Sequence, residues 1–550
     1  MNRSKPVFLS IALLTLASCG GQPASSSSVS TGPVTGDPIP TASQPKREIA
    51  DKYRTMYQIM PYSFADSNGD RIGDLGGIAA KLDYIADLNY TGIWMTPICP
   101  SPTYHKYDVT DYFDIDPQFG SLSTFDTMVA KAHEKGMTVV FDLVFNHTSN
   151  QHPWFEESCR AHIYGDTSSP YYDFYNIKQG TAAGAWHSVP GGQGLVYEGQ
   201  FYSGMPDLNL QAVLDDGQGA LANELRSIMK FWLVDHKVDG FRLDAVTSYF
   251  TGNQQKNKEF LTWLHDECVK LKEDVYMVGE GSWNANAAEN TLYQDSGVDS
   301  FFNFANRSLE PSYSIPSVIS GANAALLATN MTQSWNSAAS GIPANFIANH
   351  DIGRLVGSVG GRKDLAKAKL GHSLLALMPG AIYNYYGDEY GQAVPINKLG
   401  DPDIRMHVEW GESSFVTQDP PGTVTTYAKD TTYPYPDVAA QLKDEDSLVS
   451  HVRKVNLLRK QFPEIARGKT ELLDSVKSTE PKVTVAALSK KTADSEIVLV
   501  VNPSTTAYVD YDFSALSGYS PKAEVSVIGN STYTGNVLHL TPGAVVVLGR

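Results

Sequence analysis

The sequence predicts an α/β fold: a parallel (β/α)8 barrel with a long insertion after the third strand and an antiparallel β domain at the C-terminus. Three observations lead there. From about Ile49 onward, short apolar runs alternate with longer segments of helical spacing. Alternating strands and helices imply a parallel sheet with helical crossovers. About eight such units over roughly 400 residues suit a closed barrel with insertions better than an open doubly wound sheet. The rhythm then fails in two places, between Ser149 and Leu210 and again past Gly468.

The strand signals come in order. They are Tyr90–Met95, Met137–Val144, Val238–Leu243, Val275–Gly279, Ser300–Phe304, Ala344–Ala348 and Ala381–Tyr385, with helical spacing at Phe125–Lys135 and Asn257–Leu271. Residues 149–210 are rich in Gly, Tyr, Trp, His and Pro, as an insertion would be. Past Gly468, Val-rich segments such as Glu496–Val501 and Ala544–Leu548 alternate with turns and predict small antiparallel sheets.

The N-terminus has its own logic. Arg3 and Lys5 precede an apolar run from Val7 to Leu16, too short to span a bilayer as a helix, so 1–18 is expected to be a signal peptide. Leu16-Ala-Ser-Cys19-Gly resembles a bacterial lipobox, which implies cleavage before Cys19 and lipidation of that cysteine. Residues 19–47 are Ser/Pro/Gly/Thr-rich and are expected to be a flexible tether. The expected location is the outer surface of a bacterial membrane, held there only by the lipid. The barrel is expected to span 48–467 and the C-terminal domain 468–550.

Composition excludes several classes. The 550 residues are 42% hydrophobic, 19% charged and 11% aromatic, with 29 Tyr and 8 Trp. Mean hydropathy is −0.24. This is neither a polytopic membrane protein nor a disordered chain. A net charge of −17 leaves no basic footprint for nucleic acid and suits a neutral polar substrate. Four scattered cysteines make no disulfide framework or zinc cluster.

Polar residues recur at the C-terminal ends of the strands: Asp142, Asn146 and His147; Arg242 and Asp244; Glu280; His350 and Asp351. In a parallel barrel those ends meet on one face, where active sites are built. Like charges raise one another's pKa, so one carboxyl can stay protonated as an acid. Glycoside cleavage needs such a pair, one carboxylate and one carboxylic acid. Any one of these residues alone reads equally as a solvated or ion-paired loop residue.

Taken together they resemble the α-amylase family, glycoside hydrolase family 13. The family's four regions appear as Asp142-Leu-Val-Phe-Asn146-His147, Gly240-Phe-Arg242-Leu-Asp244-Ala245, Gly279-Glu280 and Asn349-His350-Asp351. A fifth segment, Met205-Pro-Asp207-Leu-Asn209, is similar to one late in the family's inserted domain B, here about 149–210. The resemblance implies Asp244 as nucleophile, Glu280 as acid and base, and Asp351 as the third carboxylate. It implies substrate contacts from Tyr107, His147, Arg242 and His350, with His105 a further candidate. Asp142 is expected to support Arg242. Asp388 and Glu389 are expected to be structural. Trp154, Trp186 and Trp283 read as core or as outer sugar platforms.

One departure concerns calcium. After Asp244-Ala245 the chain runs Val246-Thr-Ser248, where many relatives carry a Lys-His whose carbonyl helps hold a calcium ion with the region I asparagine. A second calcium site near Asn146 therefore lacks a donor. The stretch Asp66-Ser-Asn68-Gly-Asp70-Arg-Ile72-Gly-Asp74 offers oxygens at alternate positions and lacks the EF-hand spacing. It resembles the first βα-loop ion site of the oligosaccharide-active branch, which implies a structural Ca2+ held by Asp66, Asn68, Asp70, Asp74 and the Ile72 carbonyl. A solvated Asx turn is the alternative.

Ala245 is small where relatives that cut α-1,6 bonds often have Val, so the resemblance implies a retaining endo-α-1,4-glucan hydrolase. MPDLN resembles a group intermediate between oligo-1,6-glucosidases and neopullulanases. An exo-acting α-glucosidase, a glucanotransferase and a non-catalytic glucan-binding lipoprotein are the alternatives. The expected partner is an α-glucan or maltooligosaccharide, bound by a monomer.

Overall fold

The computed structural model describes residues 29–30, 36–44, 52–283, 288–293, 295–338, 341–393, 400–424, 434–478 and 482–550. The signal peptide and Cys19 lie outside the described residues.

Eight strands close into a parallel barrel: β1 (Thr55–Ile59), β2 (Gly92–Met95), β3 (Thr138–Leu143), β4 (Gly240–Leu243), β5 (Tyr276–Gly279), β6 (Ser300–Asn303), β7 (Ala344–Phe346) and β8 (Ala381–Tyr385). β8 pairs with β1 to complete the circle. All are buried along their length except the first residue of β3, because side chains fill the inside and helices cover the outside. Alternation divides the residues between these two layers. Met56, Trp94, Val140, Tyr276, Val278, Phe302, Phe346 and Tyr383 pack inside the barrel, whereas Tyr57, Ile59, Ile93, Phe141, Phe241 and Ile382 join the helix-covered core.

Register then fixes which side chains share a level. Gln58 is opposite Trp94, and Asp142 is opposite Arg242, which is opposite Val278. Gly240 begins β4 because a Cβ there would lie 1.9 Å from the Tyr276 carbonyl oxygen, so only glycine permits this strand spacing. The helix expected at Phe125–Lys135 runs Leu122–Glu134, because Ser121 caps it by accepting from Thr124 N. The strand Thr55–Ile59 had no separate sequence signal.

The insertion follows β3. It holds a helix, Pro153–Tyr164, and a three-stranded sheet with Leu195–Glu198 between Ile177–Gln179 and Trp186–Ser188. Backbone bridges His147↔Asp207 and Tyr175↔Leu208 hold its closing end. At the C-terminus two five-stranded antiparallel sheets face each other. Val485, Val498, Val500, Val509, Leu538, Val546 and Leu548 form their shared core.

One expectation is corrected here. The stretch 19–47 is not a tether throughout. Asp37–Pro38 pairs with Thr532–Thr534 as an edge strand of the C-terminal domain, and Val29–Ser30 pairs with Tyr508–Asp512 at the other edge. Ile39 is buried in the domain's core, and the Pro40 carbonyl accepts from Glu524 N. Ser43 and Gln44 then reach Gln461 and Asn89 of the barrel. Composition alone hides this, because a polar segment can order by completing an open sheet edge. Among the described residues, no helix is long and apolar enough to cross a membrane.

If 36–44 is a structural strap, Ile39→Ala removes a buried branched side chain and costs about 2 kcal/mol or more. The expected readout is a lower thermal midpoint with unchanged kcat/KM. An unchanged midpoint would show that the strap carries no stability.

Candidate active site

Arg242 lies at the centre of the C-terminal face of the barrel. It is 1% exposed. Its Nη1 donates to Asp142 Oδ1 at 2.9 Å and to Asp244 Oδ1 at 2.5 Å, and its Nη2 lies 2.8 Å from Glu280 Oε2. Strand alternation explains the cluster. Arg242 and Asp244 are two residues apart on and just past β4, and Asp142 is the register partner of Arg242 on β3. Glu280 follows β5.

Three carboxyls on one guanidinium cannot all be ionised cheaply away from water. Burial pushes Glu280 up to about 7, Asp244 and Asp351 push the same way, and Arg242 opposes them. Asp142 is also pushed up to about 7 by burial, again against Arg242. The two differ in surroundings. Asp142 accepts from Arg242, Trp94 Nε1 and the Tyr107 hydroxyl, three donors that favour its charged form. Glu280 lines the open cavity and is the carboxyl placed to hold a transferable proton. Its Oε2 accepts from Ala245 N and its Oε1 from Trp283 Nε1, each at 3.1 Å. Ala245 reaches it from a left-handed conformation, φ 46°.

Asp351 belongs to a second cluster. Burial raises its carboxyl, but His350, Arg405 and Arg242 outweigh that and hold it below the usual carboxylate range. Arg405 Nη2 donates to its Oδ1 at 2.8 Å, and His350 Nε2 lies 3.1 Å from Oδ2. Burial pushes His350 down to about 3, so the ring is neutral. Burial likewise lowers His147, which lines the cavity and whose buried Nε2 has no hydrogen-bond partner. Tyr107 stacks on His350, with ring centroids 5.5 Å apart at 7°.

The cavity measures about 700 Å³. His105, Tyr107, His147, Asp244, Glu280, His350 and Asp351 all line it, and Arg242 lies beneath them. Asp142 supports Arg242. Asp388 and Glu389 are buried away from the cavity, where the Tyr57 and Tyr84 hydroxyls donate to Glu389 Oε1. Trp154 is core. Trp283 is not: it is 42% exposed in the cleft, its ring stacked on Phe304. Five residues of the site had no functional signal in the sequence. Gln58 bonds to His350, Trp94 to Asp142 and Arg405 to Asp351, while Phe201 and Tyr202 form part of the rim. Only the inward register of β1 and β2 could have pointed to Gln58 and Trp94.

The Asp66–Asp74 loop sits outside this cavity. Asp66 accepts from the amides of Asn68, Gly69 and Arg71, Asn68 from Asp70, and Asp70 from Ile72. Asp74 caps the helix Leu75–Asp87 through Gly77 N and binds Ser67. The donor set is all hard oxygen and fits Ca2+ in kind. In these positions it closes an Asx-type turn, and among the described residues no three His, Cys, Asp or Glu side chains gather as a cage. Near Asn146, the side-chain amide donates to Asp207 Oδ1 at 3.2 Å, tying the insertion to the end of β3.

Comparison with known proteins fits this geometry. The alpha-amylase family, described as "Alpha amylase, catalytic domain", matches residues 58–468. The chain belongs to the alpha-amylase family. It is 34% identical over 467 residues to "Alpha-amylase 3" of Dictyoglomus thermophilum, covering 82% of this chain and 85% of that one. It is 34% identical over 381 residues to the oligo-1,6-glucosidase of Parageobacillus thermoglucosidasius, covering 62% and 65%. The solved structure of Eubacterium rectale Amy13B superposes with a TM-score of 0.80 at 34% identity, covering 92% of this chain and 97% of that one. This family member is a glycoside hydrolase that acts on α-glucans.

Because the acid must hold its proton, kcat/KM of the enzyme is expected to fall as pH rises through about 7, where Glu280 ionises. A pH–rate profile that stays flat to pH 9 would remove Glu280 from that role.

Proposed function

We propose that the enzyme cleaves internal α-1,4 bonds of starch or maltooligosaccharides with retention of configuration. The observation that carries this is the shared guanidinium: Arg242 holds Asp244 and Glu280 at opposite ends of one planar group, inside one cavity. A retaining pair needs two carboxyls about 5–5.5 Å apart.

The steps follow from the charges. Asp244 attacks the anomeric carbon while Glu280 gives its proton to the leaving glycosidic oxygen, so the C–O bond breaks as the Asp244 ester forms. Glu280, now a carboxylate, takes a proton from water. The hydroxide attacks the same carbon, Asp244 is released, and Glu280 is protonated again. Arg242 pairs with Asp244 and orients it for the first attack. Asp351, His350 and the unpartnered His147 Nε2 are the groups for the hydroxyls of the reacting sugar. Contacts that strengthen as positive charge develops at the anomeric carbon accelerate the reaction. The face of Tyr107 suits the C–H face of a pyranose. Supporting the choice of linkage are the small Ala245 and an alignment with an alpha-amylase that is longer than the one with an oligo-1,6-glucosidase at equal identity.

Glu280→Gln is expected to lower kcat on starch on the order of a thousandfold in a folded protein. Products decide the mode on wild type: mixed short maltooligosaccharides from maltoheptaose support endo cleavage. Glucose alone, growth of longer chains, or preference for isomaltose would each replace it with the exo, transferase or α-1,6 reading.

We further infer that the Asp66–Asp74 loop takes a structural Ca2+, for which its all-oxygen donors are the support. The site is remote from the reacting groups. Asp70→Ala is therefore expected to lower the thermal midpoint in calcium with little change in kcat at low temperature. Equal midpoints for both proteins, with and without chelator, would leave the loop as a turn alone.

A further inference from the structure

Gln58 is a buried polar residue of the strand Thr-Met-Tyr-Gln-Ile, and it points into the barrel on the level of Trp94. Its Nε2 lies 2.7 Å from His350 Nδ1. We propose that Gln58 is a positioning residue that donates to His350 Nδ1, fixes the ring as its Nε2–H tautomer, and so aims one N–H at Asp351 and the sugar hydroxyl beside it.

The direction of each bond can be worked out from its neighbours. A neutral imidazole has one hydrogen and must place it on one nitrogen. His350 Nε2 lies 3.1 Å from Asp351 Oδ2 and 2.6 Å from the Tyr107 hydroxyl oxygen. Asp351 has Arg405 on its other oxygen and is a carboxylate, which only accepts. Tyr107 gives its own hydrogen to Asp142 Oδ2 at 3.1 Å, so its oxygen accepts from the ring. Both neighbours of Nε2 therefore require a hydrogen there. Nδ1 is left bare and buried, and only a donor satisfies it. The amide NH2 of Gln58 is that donor, which also fixes the amide's orientation. The hydrogen bonds then run one way, from Gln58 through His350 and Tyr107 to Asp142, which Arg242 holds from the other side. With the amide turned over, Nε2 would present a lone pair to a carboxylate, and the Tyr107 hydrogen would be drawn away from Asp142.

The charged and titratable groups around His350 are Asp351, Arg405, Arg242 and His105, with Tyr107 stacked on the ring. Two arginines against one adjacent carboxylate, together with burial, keep the ring neutral in the wild type. The inference rests on the proposed placement of His350 and Asp351 against the reacting sugar.

Two variants and one spectrum test it. Gln58→Met keeps the length and removes the donor. Gln58→Glu replaces the donor with an acceptor that draws a proton to Nδ1. On the glucan the wild type cleaves, Gln58→Met is expected to lower kcat about tenfold at every pH, the size of one lost hydrogen bond in a dry site, with KM changed less. Gln58→Glu is expected to add an ionisation to the kcat–pH profile. Activity is then highest where the ring is an imidazolium, with Nε2–H retained, and falls as pH rises and the remaining hydrogen settles on Nδ1. Wild-type kcat for the methionine variant, or a wild-type profile shape for the glutamate variant, would overturn the proposal. A purely structural role would lower the thermal midpoint of both without changing the shape of either profile. Should neither variant fold, the nitrogen-15 histidine spectrum of the wild type decides. The signal missing in His350→Gln shows a protonated Nε2 and bare Nδ1 if the proposal holds, and the reverse tautomer overturns it. If the wild type cleaves no α-glucan, the assigned activity fails, while this spectrum still decides what Gln58 does.

Discussion

The molecule depends on a single buried cation. Arg242 is enclosed by β3, β4 and β5, and three carboxyls converge on it. One positive charge cannot balance three negative ones in so buried a cluster, which favours the retention of a proton. That retained proton is what acid catalysis requires. The same interaction thus holds the strand ends together and orients the nucleophile, while burial keeps the acid protonated against it. Removing the guanidinium would leave buried carboxylates uncompensated, which makes it a costly position to change. Asp351 is kept apart from this competition by its own arginine, Arg405. The division explains why neighbouring acids can sit in opposite protonation states.

Much of this was legible in the sequence, for a physical reason. Strands buried on both faces read as apolar runs, and in a parallel barrel their ends converge, so Asp142, Asp244, Glu280 and Asp351 could be brought together without coordinates. What stayed hidden was whatever depends on a partner elsewhere in the chain. Gln58 and Trp94 are ordinary residues until strand register sets them beside His350 and Asp142. Arg405 follows β8 in a segment with no motif of its own. The strap at 36–44 looks like tether because its order comes from the edges of a sheet some five hundred residues away in sequence. Trp283 was one tryptophan among several until its N–H was seen on Glu280.

Attachment of the insertion follows the same principle. Asn146 donates to Asp207, Gln200 N to the other oxygen of Asp207, and Gln200 Nε2 to the Ser248 carbonyl. Burial and the nearby Glu198 push Asp207 up to about 7. A carboxyl under that pressure gains from each amide it accepts. Two side-chain amides thus bridge insertion and barrel, Asn146 to the buried acid Asp207 and Gln200 to the Ser248 carbonyl.

Floor and rim of the cleft obey different rules, and this separates the chemistry from the choice of substrate. The floor is built from strand ends, where Arg242, Asp142 and His350 are almost wholly buried and each has partners that allow one orientation. Such groups cannot drift without losing several bonds at once, so bond cleavage is set by the barrel itself. The rim is formed by Phe201 and Tyr202 on the insertion and Trp283 after β5, which are 52%, 44% and 42% exposed. Loops tolerate replacement because few contacts constrain them. Phe201 and Tyr202 can therefore vary without touching the catalytic cluster. A single barrel can then serve relatives named as amylases, oligo-1,6-glucosidases and glucosyl transfer enzymes. Trp283 connects the two parts, because its exposed ring belongs to the rim while its N–H fixes the acid of the floor. Any group that displaces that ring also alters the hydrogen bonding of Glu280, so what occupies the rim can influence how readily the proton leaves.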